Sequence, residues 1–153
     1  VNRLSRDDFI RLVSDNLKLV RVEADYTQDR MAEILGISKK TLIQIEKGRT
    51  PAGWTVAVAF CALFRESEII QSVLGGEPLE IVSMVAFDHY ERPKEKTMGG
   101  KVWWQEIERA GDFRLQQNLV SQHYRILDKE DRRWCSSFDG DYIKKRLREL
   151  GDR

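Results

Sequence analysis

The sequence is poor in proline, cysteine and long apolar runs, and each shortage excludes a class of protein. Three prolines and ten glycines among 153 residues exclude a collagen-like or low-complexity chain. Cys61 and Cys135 lie far apart, with no Cys-x-x-Cys spacing, so no zinc site is expected and both read as buried thiols of a cytoplasmic protein. No apolar run approaches the ~20 residues of a membrane-spanning helix. The opening Val-Asn-Arg-Leu-Ser-Arg-Asp-Asp lacks the apolar core of a signal peptide. Neither histidine, His89 or His123, has partners at metal-ligand spacing. With no phosphate-cradling glycine loop and no catalytic constellation, the chain reads as a non-enzyme without metal or cofactor.

What is present is the composition of a folded chain, 41% hydrophobic and 33% charged. A net charge of +1 neither suggests nor excludes a polyanionic partner, but its distribution is uneven. Residues 38–50 carry Lys39, Lys40, Lys47 and Arg49 against Glu46 alone.

Apolar spacing divides the first half into helices. Phe9, Leu12, Val13, Leu17 and Val20 form one stripe, and Ser5 with Asp8 fits a capping box, predicting a helix over 6–21. Thr27 caps a second helix, 28–35, with Met31, Ala32 and Leu35 inward and Gly36 as a left-handed end. Ser38 caps a third, with Leu42 and Ile45 inward and Gly48 closing it. A loop at 50–53 precedes a helix at 54–64 that is strongly apolar, through Val56, Ala59, Phe60 and Leu63, and expected to be mostly buried, and a fifth helix covers 67–74. Gly75-Gly76-Glu77-Pro78 is the natural boundary, which places an all-α five-helix domain at 1–76 and a second module at 77–153.

The second module reads as small and α+β. Residues 79–90 fit a strand or a helix equally well, and polar 91–100, with Pro93 and Gly99-Gly100, reads as a loop. Runs at 102–108, 113–120, 124–127 and 134–138 are separated by turn-forming segments and predict an antiparallel meander of three or four strands. Asp139 caps a C-terminal helix to Leu150 with Ile143, Leu147 and Leu150 inward. Trp103, Trp104, Phe113, Tyr124, Trp134, Phe138 and Tyr142 are expected chiefly as its core, with some of them open to an interface or pocket. The polar run Gln116-Gln117-Asn118 is expected to pair across strands rather than hold a ligand.

The run Thr27-Gln28-Asp29-Arg30-Met31-Ala32, then Gly36-Ile37-Ser38, then Thr41-Leu42-Ile43-Gln44-Ile45-Glu46-Lys47-Gly48-Arg49-Thr50-Pro51, resembles the phage-repressor-like (Xre-type) helix-turn-helix family. The resemblance covers about the first half of the chain and rests on several features at fixed spacing. It implies a repressor-like DNA-binding domain whose third helix enters the major groove. Lys39, Lys40, Thr41 and Gln44 are then the base-reading candidates, since lysine donates to guanine O6 and N7 and glutamine pairs with adenine. The resemblance also implies that Gln28 contacts phosphate at the start of the second helix, with Lys47 and Arg49 holding the backbone. It implies a partly buried ion pair between Arg21 and Glu46 that holds the third helix in place. One departure is Asp25, where the family often has glycine; aspartate tolerates the left-handed geometry such a turn needs.

The expected function is a cytoplasmic transcription regulator, a repressor rather than an activator, bound as a homodimer to a palindromic operator in double-stranded DNA. Residues 77–153 would then dimerise or sense a small-molecule or protein effector. No autoproteolysis pattern of the self-cleaving repressors is present. The alternative is an antitoxin-like regulator whose C-terminal module grips a toxin or other protein. A third reading is a cofactor that uses its helical domain only to bind protein.

Overall fold

A computed structural model describes residues 4–91 and 103–152. The chain divides into two compact units, Val1–Arg92 and Pro93–Arg153. The first is helical: α1 (Arg6–Glu23), α2 (Gln28–Leu35), α3 (Lys39–Glu46), α4 (Trp54–Leu63), α5 (Glu68–Leu74) and α6 (Pro78–Phe87). The second holds β1 (Trp104–Ala110), β2 (Phe113–Asn118), β3 (Tyr124–Leu127), β4 (Arg133–Ser137) and α7 (Gly140–Gly151). The expected loop at 91–100 lies, apart from Glu91, outside the described residues, as does Val102.

Local chemistry sets the helix ends. Ser5 and Asp8 form a reciprocal capping box: Asp8 N–H donates to Ser5 Oγ at 3.1 Å and Ser5 N–H to Asp8 Oδ2 at 3.3 Å. The Ser5 side chain, and then its backbone N–H, favour the ionised carboxyl and lower the Asp8 pKa. α1 runs two residues past the expected end, to Glu23. The chain then turns through Asp25 at φ 58°, the left-handed position at the departure from the family pattern. Thr27 caps α2, and Gly36 at φ 72° ends it.

Phe9, Val13, Leu17 and Val20 of α1 form the spine of the helical core, against Met31, Ala32, Leu35, Leu42, Ile45, Phe60 and Ile70. Two expectations are corrected here. α4 turns Ala57, Phe60 and Cys61 inward and leaves Leu63 exposed, because its sequence is apolar on every side and tertiary packing selects the face. The ambiguous stretch at 79–90 is a sixth helix rather than a strand. Glu77 caps it, Pro78 occupies its first turn, and Val82 enters the same core as Ile70. The five-helix domain is therefore a six-helix unit, and the division falls at 92/93 instead of 76/77.

The stretch Glu68–Phe87 is long and apolar enough by composition to cross a membrane. It is not one helix: Gly75 at φ 76° ends α5, and Glu77 starts α6, giving helices of 7 and 10 residues. Neither reaches the length of a span.

The second unit is an antiparallel meander in the order β1-β2-β3-β4. Registers such as Leu115↔Ile126 and Ile126↔Cys135 line one face with apolar residues, and α7 covers that face with Ile143, Leu147 and Leu150. The aromatic expectation is corrected. The fully buried core is aliphatic, with Phe113 and Tyr124 packed at its margin, while Trp103, Trp134, Phe138 and Tyr142 are exposed. By strand alternation Gln116 and Arg125 lie on the opposite face. There the Arg125 guanidinium stacks 3.8 Å from the Trp104 ring centre, and its Nε–H donates to Gln116 Oε1 at 2.9 Å. The polar strand residue Gln116 thus pairs across strands, satisfying a buried arginine.

Candidate nucleic-acid interface

α3 is held by its inner side and capped at its outer end. Leu42 is fully buried and Ile45 nearly so. At a helical pitch of 3.6 residues this leaves Lys39, Lys40 and Thr41 exposed and Gln44 half-buried. Ser38 Oγ accepts the Thr41 N–H at 3.0 Å and donates to Thr41 Oγ1 at 2.9 Å. The Thr41 hydroxyl is therefore an acceptor within the cap, and its own proton is left to donate outward.

The charge at this helix end runs against what stability alone favours. A helix N-terminus carries partial positive charge, and acids there are stabilising. α1, α2, α5, α6 and α7 each have an acid in the first turn, whereas α3 has Lys39 and Lys40. Positive charge is thus concentrated where backbone N–H groups already point outward, an arrangement suited to an anion. Lys39 Nζ pairs with Asp29 Oδ2 of α2 at 3.3 Å, in an exposed geometry that contributes little to stability. Among the described residues, Lys40, Lys47 and Arg49 take part in no ion pair, and all three are exposed.

Behind α3 the geometry is tight. Arg21 Nε–H and Nη2–H donate to Glu46 Oε2 and Oε1 at 2.8 and 2.9 Å, with the two side chains 13% and 4% exposed. The bond to Glu46 raises the Arg21 pKa. Arg21 Nη1–H also donates to the Tyr26 carbonyl at 2.9 Å, so one guanidinium joins the end of α1, the α1–α2 turn and the end of α3. Gln28 Nε2–H donates to Glu46 Oε1 at 3.2 Å. The residue implied as a phosphate contact is thus tied to the ion pair through one amide proton, and the other stays available. After α3, the Ala52 N–H donates to Ser14 Oγ at 2.9 Å, which anchors the segment carrying Lys47 and Arg49 to α1.

The structure brings Gln28, Lys39, Lys40, Thr41 and Gln44 together on the α2–α3 pair, with Lys47 and Arg49 following the end of α3. Sequence reasoning missed the Lys39–Asp29 pair and the Gln28–Glu46 bond. Both join residues from different helices, ten and eighteen positions apart, and no local periodicity signals them. Among the described residues no group of three or more His, Cys, Asp or Glu is placed to hold a metal ion.

Residues 13–68 match the family model of a helix-turn-helix domain, which spans α1 from Val13 through the first residue of α5. Comparison with curated proteins and with solved structures yields no match to the chain.

Proposed function

From a helix-turn-helix domain at residues 13–68, we propose that the chain is a sequence-specific DNA-binding transcription regulator that lays α3 in the major groove. The observation that carries this reading is the reversed charge at the start of α3, two lysines where five of the other helices carry an acid. Lys39, Lys40, Thr41 and Gln44 read base edges; Gln28, Lys47 and Arg49 hold phosphates. Two copies on a palindromic operator would engage half-sites about one DNA turn apart and repress by occluding a promoter.

Selection of binding sites from random duplexes at two salt concentrations tests this. A selected palindrome with salt-sensitive affinity is the expected result. Lys40→Ala or Gln44→Ala should cost ~1–3 kcal/mol and relax preference at one position. Lys47→Ala should weaken binding to all sequences alike and reduce the salt slope by about 1. Weak binding without sequence preference would sink the proposal.

A further inference from the structure

One end of the β-sheet is built almost without charge. Residues 115–124 and 134–138 contain no Asp, Glu, Lys or Arg, in a chain that is 33% charged. Other charge-free runs of five or more residues, at 34–38, 41–45, 50–64, 69–76 and 81–87, fall in the helical unit and feed its core. These feed a surface. The up-and-down order brings the start of β1, the β2–β3 turn and the end of β4 to the same end. Leu119 N–H donates to the Trp103 carbonyl at 2.7 Å, and the His123 ring lies 4.9 Å from Trp104 and 5.9 Å from Phe138. Trp103, Leu119, Val120, Phe138 and Tyr142 are all exposed there, Val120 to 75% and Phe138 to 77%. The opposite end of the sheet, by contrast, is crowded with Arg109, Asp112, Arg114, Lys129 and Asp131.

We infer that this apolar end of the sheet is a homodimerisation surface, covered by a second copy of the chain. Three arguments select that occupant. Five large apolar side chains offer on the order of 500 Å², the top of what a monomer leaves bare. With a polar rim this approaches the ~800 Å² per partner of a standard interface. Depletion of charge with enrichment of aromatic residues is the composition of an interface core. Finally, a two-fold contact sets a patch against itself, so like charges would face like; the strand and turn residues of this patch carry none, which leaves Asp139 and Asp141, exposed beside Phe138 and Tyr142, as the acids that adjoin it. The inference deepens the proposed pairing on DNA by naming the surface that pairs.

Sedimentation equilibrium of the full chain tests it. The unsubstituted chain should be a dimer at micromolar concentration. Val120→Glu with Phe138→Glu, at positions too exposed to affect folding, should raise the dimer dissociation constant on the order of 100-fold with an unchanged circular dichroism spectrum. Should that pair disturb the fold, Leu119→Ser with Phe138→Ser reads the same surface. Phe87→Glu, at an exposed apolar residue of α6, should leave the dimer intact. A monomeric unsubstituted chain, a dimer that survives both pairs of substitutions, or dissociation by Phe87→Glu alone would overturn the inference. So would a stable complex of a monomer with a different small protein. A dimer that selects no DNA sequence would overturn the regulator reading and leave this surface standing; a monomer that still binds a specific duplex would do the reverse.

Discussion

Arg21 and Glu46 share two charge-assisted hydrogen bonds in a site closed to most solvent, so neither has water to fall back on when the other is removed. Glu46→Ala should cost about 3 kcal/mol in urea unfolding of the helical unit, and the double variant with Arg21→Ala should cost less than the two single losses added together. Asp128 is the corresponding residue of the sheet unit. Its carboxylate accepts from the Trp134 indole N–H at 3.0 Å, the backbone N–H groups of Arg132 and Glu130, and the Arg132 guanidinium. The Trp134 bond, followed by the others, holds its pKa well below the usual carboxylate range. The folded value lies below the unfolded ~3.9, so the stabilisation is present above about pH 4 and is lost as pH falls through the folded value. Thermal unfolding between pH 7 and pH 2 should show that loss. Asp128→Asn should be less stable at neutral pH and lose less stability than the unsubstituted chain as pH falls below about 4.

At the scale of elements, the turn between α2 and α3 depends on a backbone conformation. Gly36 sits at φ 72°, and a Cβ built there meets no atom within 4 Å, so any cost of substitution is conformational rather than steric crowding. Gly36→Ala should destabilise by about 1–2 kcal/mol and Gly36→Asn by less, measured by the same urea titration. Asp25, at φ 58°, already makes a tolerable version of that compromise. The ends of α2 and α3 were legible in the sequence to within a residue because Thr27, Gly36 and Ser38 act on groups two or three positions away. The inward face of α4 was not legible, since nothing local distinguishes Leu63 from Phe60. Nor was the class of α6, whose apolar run at 79–87 suits a strand or a helix until Val82 finds its partners. The strand register was legible in outline. The bulges between Glu106 and Glu108 and between Ile126 and Leu127 were not, because each depends on what the neighbouring strand presents.

At the scale of the whole molecule, the two units have separate cores. Residues 1–76, which lack Val82 and the rest of α6, should therefore melt several degrees lower than a fragment of residues 1–92. Calorimetry of the two fragments checks this. The sequence by itself determined the helix-turn-helix, because caps, a left-handed glycine and one apolar stripe are all written within a few residues of where they act. It also determined the meander and its covering helix, through alternation and the Asp139 cap. Only the tertiary structure decided where the helical unit ends, that Gln28 answers to Glu46, and that the aromatic residues of the second unit stand largely outside its core. Each of those outcomes depends on which surfaces meet across long stretches of chain, and an apolar or polar side chain carries no local mark of the partner it will find.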